Sequence, residues 1–468
     1  MAGHPYIPNS DPVIQQRMLA GIGAADIDEL YDSIPASLRF HDQLDLPEAL
    51  SCEMQLRRHV EDLLNRNQSC RELLNFRGGG CAQHYVPAVC DEVNSRSEFL
   101  TGYAGEPYED HGRFQALFEY ASLMGELLDM DVVNVPTFDW NQAAATAIRM
   151  AQRITERHRV LICGDVAPDR VSTIDNYCRS AMTIDTLGCD PVTGSLSQSA
   201  LDAKLGPDLI GVYFESPNYL GRIEPGGQAV SDAVHQAGGL SIVGTDPISL
   251  GVLAPPSQFG ADIVCGDLQP LGIHMNQGGG LAGFIATRDE EQFVREYPSR
   301  LFGLCRTDVP GEWGFGDVLY DERTSFGARE NGKEFVGTAT ALWGITAGVY
   351  LALMGPEGMR QAGQTILQNQ QFTRQQLQAI DGLTIRASAA PHFKEFVVDL
   401  SAAHVTPSQL NRALLAEGIL GGIDLSGTLP GYADCMLMCV TEIHTQDDIN
   451  RLVAAVNHCI SNAAPVPD

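Results

Sequence analysis

From about residue 76 to residue 335, short apolar runs alternate with helical ones, and this alternation limits the folds open to the chain. RFQALFEYASLMGELLDM carries its apolar residues at helical intervals. RVLICGD (Arg159 to Asp165), AMTIDTL and DLIGVYFE are apolar runs of strand length. QAVSDAVHQAGG reads as a helix that stops at Gly238–Gly239 and feeds a further strand, LSIVGTD. Strand and helix in turn predict an α/β fold, a mostly parallel sheet covered on both faces. Ligands in such sheets bind beyond the carboxyl ends of the strands. Asp165, Asp246 and Asp267 each fall at such an end.

The flanks differ in character. Residues 1–75 read as a helical arm: DPVIQQRMLAGIG opens with Asp11 as N-cap and has Gly21 as a stop, and LRRHVEDLLNRN is a second amphipathic stretch. So short an arm cannot bury its own apolar faces and needs a partner surface. Residues 336–468 read as a small α+β domain. TATALWGITAGVYLALMG continues into a more amphipathic helix, KEFVVDL and DCMLMCVTE are strands around TPSQLNRALLAEG, and a helix capped by Thr445 closes the chain. The middle, 76–335, is the large domain.

The 468 residues carry a net charge of −29, which disfavours nucleic acid and anionic membranes as partners. The first residues lack a basic segment followed by an apolar run, and no stretch approaches the roughly 18 apolar residues of a membrane span. A cytoplasmic location is expected. The twelve cysteines are scattered singly, as reduced core residues would be. Cys435 and Cys439 lie in an apolar strand with no second ligand pair at zinc spacing, so core packing is expected there and no metal site.

Lysine is scarce: the chain has only Lys204, Lys333 and Lys394, with none between the first two. The bare interval contains TDPISLGVLAPPSQFGADIVCGDLQPLGI. This block, together with RMLAGIGAADIDELYDSIP, HYVPAV, SRSEFLTGY, FQALFEY, ESPNYLGRIEP, GVYLALMGPEGMR and CVTEIHTQDDINRLVAAV, resembles the α-subunit of the glycine decarboxylase family, the P-protein of the glycine cleavage system, nearly end to end. The resemblance implies the fold-type I architecture of pyridoxal-phosphate (PLP) transferases. It also implies a two-chain enzyme that decarboxylates glycine and passes the aminomethyl group to lipoyl-bearing H-protein. In that fold an aspartate faces the pyridine nitrogen and a lysine follows at the end of the next strand. Here Asp246 matches the aspartate, while Asp267, Gln269 and His274 stand where the lysine belongs, and none of the three can form an aldimine. The implied arrangement is a chain inactive by itself, walling the site of a lysine-bearing β-subunit that holds the PLP.

The chain departs from the family pattern in several loops. Gln83 replaces an aspartate, Ala104 to Tyr108 form a shortened loop, Trp140 stands where the family has a close-approach glycine, and Asn331 to Phe335 replace a basic loop. These departures point to a diverged paralogue. They leave room for a decarboxylase subunit acting on another amino acid without H-protein, or for a non-catalytic scaffold.

Candidate residues follow. His84, after the run Gly78–Gly79–Gly80, is a candidate for the partner's substrate site or a hydrogen-bonded structural histidine. The glycine run weakly resembles a phosphate cradle. Tyr103, Glu106, Tyr108 and His111 form a polar, aromatic loop that reads as a wall of the partner's pocket or as plain surface. Pro217–Asn218 reads as a turn. Asp246, Gln269, His274 and Lys333 are vestigial or cross-interface cofactor candidates, with Asp246 alternatively capping its own loop and Lys333 alternatively a surface lysine.

Overall fold

The computed structural model describes residues 9–40, 44–100, 111–190, 193–276, 281–299, 301–318, 333–334 and 339–462, together with residues 4, 6, 7 and 42. The chain forms two compact units, Met1–Gln68 and Ser69–Asp468.

The first unit holds helix α1 (Pro12–Ile22) and helix α2 (Glu53–Leu64). Asp11 caps α1 as its sequence predicts, accepting from the Val13 and Ile14 amides. The stop is Gly23, with φ 76°, rather than Gly21, which stays inside the helix. Only Leu19 of α1, and no residue of α2, is buried. Leu56, Val60, Leu63 and Leu64 make a stripe along α2, and all four are exposed.

A seven-stranded sheet forms the heart of the second unit. Its strands are β1 (Val132–Val133), β2 (Arg159–Cys163), β3 (Thr183–Leu187), β4 (Leu209–Glu215), β5 (Leu240–Thr245), β6 (Ile263–Asp267) and β7 (Gly283–Thr287). Their spatial order is β1-β7-β6-β5-β4-β2-β3. The pairs β6–β5, β5–β4, β4–β2 and β2–β3 are parallel, whereas β7 runs antiparallel to β6, and β1 antiparallel to β7. Every residue of the central strand β4 is buried, as the unbroken apolar run DLIGVYFE requires of a strand covered on both sides. Helix α3 (His111–Leu128) precedes these strands in the chain, and α4 (Trp140–Thr155), α5 (Pro168–Cys178) and α6 (Gly227–Gln236) lie among them. The long helix α7 (Ala341–Gln378) contacts α3 and breaks at Gly355, whose φ of 56° precedes Pro356. Proline removes the amide that the helix ladder would need there.

A second sheet, β8 (Thr384–Ile385), β9 (Glu395–Asp399), β10 (Ile423–Asp424) and β11 (Cys435–Cys439), has the order β8-β9-β11-β10 and is antiparallel throughout. Helices α8 (Pro407–Ala416) and α9 (Gln446–Ser461) supply Leu410, Leu414, Leu452 and Val456 to its core. Cys435 and Cys439 are buried in β11, as core residues. Leu74–Asn75 pairs in parallel with Ile419–Leu420, so this stretch is tied to the second unit. Among the described residues no helix is long and apolar enough to cross a membrane, and no three His, Cys, Asp or Glu side chains cluster as a metal site would need.

Candidate functional site

The carboxyl ends of β4, β5 and β6 open on a small cavity whose opposite wall is the Phe393–Lys394–Glu395 segment leading into β9. Strand β5 delivers Asp246, whose backbone leaves the sheet to start a short 3₁₀ turn, Pro247–Gly251. One carboxylate oxygen accepts from the Ile248 amide at 3.1 Å and so caps that turn. The other accepts from Lys394 Nζ at 2.5 Å. Both side chains are about nine-tenths buried. Burial by itself would lower the lysine's pKa, but the negative charge of Asp246, helped by Glu395, outweighs it and holds the ammonium above the ordinary lysine range.

The neighbouring wall is a second buried charge pair. Arg170, from α5, donates to Glu215 Oε1 at 2.6 Å, at the end of β4. Its guanidinium lies 3.9 Å from the centroid of the Trp140 ring, a cation–π stack. The Trp140 indole donates to the Tyr213 hydroxyl at 3.1 Å, and that hydroxyl donates to Glu215 at 2.7 Å. Asp267, at the end of β6, accepts from the Gln269 amide at 2.7 Å. Burial, reinforced by the Asp139 carboxylate, raises its pKa well above the usual carboxylate range and favours the protonated form.

The predicted site residues separate when placed. Gln269 lines the cavity and is buried, but its amide is spent on the fold: it accepts from the Ala82 amide at 3.2 Å and donates to the Ile273 carbonyl at 3.1 Å. His274 does not line the cavity; its ring is exposed and pairs with Asp91 at 2.9 Å. Lys333 lies elsewhere, donating to Glu296 at 3.1 Å beside Arg153, which bonds both Glu296 and Glu334. His84 has a buried side chain with Nδ1 2.8 Å from Glu442, while its Nε2 has no hydrogen-bond partner among the described residues. Tyr103, Glu106 and Tyr108 lie outside the described residues, as does the side chain of His111.

One expectation changes. The glycine run holds a carboxylate rather than an open cradle: the Gly79 amide donates to Glu395 Oε1 at 2.5 Å, and a Cβ on Gly78 would strike the same oxygen. Asn218 forms the expected turn, its side chain accepting from the Leu220 and Arg222 amides. The residue that sequence reasoning missed is Lys394. Its signal was the lysine scarcity itself, because one of only three lysines opens an apolar strand run.

A PLP ring does not fit these residues. The cavity is about 40 Å³, room for a few waters. The aspartate that would face a pyridine nitrogen already carries a cation, and the end of β6 offers Asp267 and Gln269 in place of a lysine.

The scaffold around the cavity is nonetheless that of a known class. A parallel sheet with an antiparallel strand at β7, a carboxyl-end cleft and a small antiparallel lobe define the fold-type I architecture of PLP-dependent transferases. The sphingosine-1-phosphate lyase of Burkholderia pseudomallei K96243 shares this fold with a TM-score of 0.63 at 16% identity, over 92% of this chain and 95% of the lyase. Within that class the sequence is specific: residues 4–456 match the family model of the glycine cleavage system P-protein, and the chain belongs to this family. It is 36% identical to a protein of Staphylothermus marinus named "probable glycine dehydrogenase (decarboxylating) subunit 1", over 97% of each chain. It also matches the crystal structure of an inhibitor-bound glycine decarboxylase (P-protein) with a TM-score of 0.81 and 30% identity, over 98% of this chain and all of that one.

Proposed function

We propose that this chain is the cofactor-free α-subunit of a two-chain, PLP-dependent glycine decarboxylase. In this reading it completes the site of a lysine-bearing β-subunit, where glycine loses its carboxylate as carbon dioxide and the aminomethyl group passes to lipoyl H-protein. The observation that carries the reading is the Lys394–Asp246 pair in a cavity too small for PLP, within a chain of the P-protein family. The apolar stripe on α2 supports a need for cover, because the first unit by itself does not bury Leu56, Val60, Leu63 and Leu64. The relatives' designation as subunit 1 supports a second subunit. Location in the cytoplasm follows from the same reading.

The residues of this chain act by positioning. His84 and Glu442 fix the backbone at Tyr85, whose amide donates to Glu442 at 2.9 Å and whose ring is exposed. That ring and the His274–Asp91 pair are the groups this loop region offers to a partner's site. Trp140, the most conspicuous departure from the family pattern, fills this chain's own cavity wall. It therefore gives no support to an altered amino-acid substrate in the partner's site.

The test is reconstitution. Release of labelled carbon dioxide from carboxyl-labelled glycine, with PLP and lipoyl H-protein, is measured for this chain, for the β-subunit and for both. The expected result is turnover only with both chains, and for glycine above alanine or serine. Turnover by this chain with PLP, or preference for another amino acid, contradicts the proposal. Unchanged turnover on leaving this chain out favours the scaffold reading.

A further inference from the structure

The buried pair at the centre of the cavity has a shape that a vestige alone does not explain. Lys394 stands 148 positions from Asp246 in the chain and belongs to the other lobe, at the mouth of β9. Its backbone is held at φ 63°, a left-handed conformation that a side-chain-bearing residue rarely takes. The flanking backbone is clamped. The Phe393 amide donates to the Gly221 carbonyl at 2.8 Å, and the Val440 amide donates to the Lys394 carbonyl at 3.0 Å. Glu395, the next residue, turns its carboxylate to the Gly79 amide. A strained backbone held on both sides delivers an ammonium to one carboxylate oxygen.

We infer that Lys394 is a built-in counter-ion that occupies the position of a cofactor cation: it neutralises Asp246, closes the cavity to a ring, and ties the small lobe to the carboxyl edge of the central sheet. This rests on the reading of the chain as the cofactor-free half. A buried aspartate at the end of β5 needs a positive partner, because an unpaired buried charge is strongly unfavourable. With no pyridinium here, the chain supplies the charge itself. The opposite assignment, Lys394 as an aldimine-forming lysine, needs a neutral amine and room for the ring. The amine is instead engaged with a carboxylate, and the room is about 40 Å³.

Two kinds of variant test this in the purified complex, read by the melting transition. Lys394→Met leaves Asp246 unpaired and is expected to lower the transition by about 5–10 °C or to prevent accumulation of the chain. Asp246→Asn, which leaves the ammonium unpaired, is expected to do the same. The double variant Lys394→Met/Asp246→Asn is expected to return to within about 3 °C of the parent, since removing both charges removes the penalty. Lys394→Ala opens an alkylammonium-shaped space, so n-butylammonium chloride is expected to raise its transition while tetramethylammonium chloride is not. Single variants that melt like the parent, a double variant as poor as the sum of the singles, or no selective rescue would each overturn the inference. Borohydride reduction of the same complex separates this from the broader reading. A reduced-PLP label on Lys394 sinks both, whereas a label on the partner alone combined with additive variants sinks only the counter-ion.

Discussion

Glu442 keeps a charge in a mostly buried place because His84 stands 2.8 Å from it. Burial pushes the carboxyl's pKa up, but the His84 charge and hydrogen bond, with the Tyr85 amide, pull it down to about 2 from an ordinary 4.5. The folded value lies below the unfolded one. The pair's stabilisation is therefore complete above pH 4.5 and is lost as pH falls through about 2. Glu442→Gln is expected to lower urea stability near pH 5 and to flatten its pH dependence between 4.5 and 2 relative to the parent. Equal slopes for the two proteins would remove His84–Glu442 as the cause. At this scale the sequence was legible where chemistry is local. Asp246 was readable as a strand-end cap, because its capping contact is two residues away. Its charge partner was not, because no periodicity links residues 148 positions apart. Lys333 drew notice from its loop, yet its partner Glu296 holds it away from the cavity.

Elements read well where a period or a cap marks them. The alternation across 76–335 predicted β2 to β6 and helix α6 between β4 and β5, since a strand buried on both faces must be continuously apolar. Thr445 starts α9 with a reciprocal capping box to Asp448. Thr445→Ala is expected to cost about 1 kcal/mol, measured by urea unfolding, and Thr445→Ser is expected to cost little. Glycines were harder, because their role depends on what approaches from far away. Gly21 resembles a stop but Gly23 takes the left-handed turn. Gly221 sits at φ 80° with its missing Cβ directed at the Glu395 backbone carbonyl. No local signal distinguishes it from an ordinary turn glycine. Gly221→Ala is expected to destabilise by more than about 3 kcal/mol, because backbone rather than a yielding side chain meets the methyl. A melt unchanged from the parent would show that the two lobes are not fastened at this seam.

At the scale of the whole molecule, the first unit carries most of the evidence for a partner. Its α1 and α2 are well-formed helices with almost nothing buried, which the first unit cannot sustain by itself. Purified alone, the chain is expected to self-associate, and with the β-subunit to give one defined complex by light scattering. Leu56→Glu/Val60→Glu is expected to weaken that association by at least about 100-fold, as charges placed in an apolar interface core do. Unaltered binding would move the interface off α2. The need for cover was legible in the arm's amphipathic pattern. What covers it was not, since a stripe records only that it is apolar.

One measurement tests directly the proposal that this chain holds no cofactor of its own. The complex with its β-subunit is reduced with borohydride in the presence of PLP, digested, and searched by mass spectrometry for the lysine that carries the reduced adduct. A single label is expected on the partner, with Lys204, Lys333 and Lys394 all unmodified. A label on any of these three, and on Lys394 above all, would contradict it.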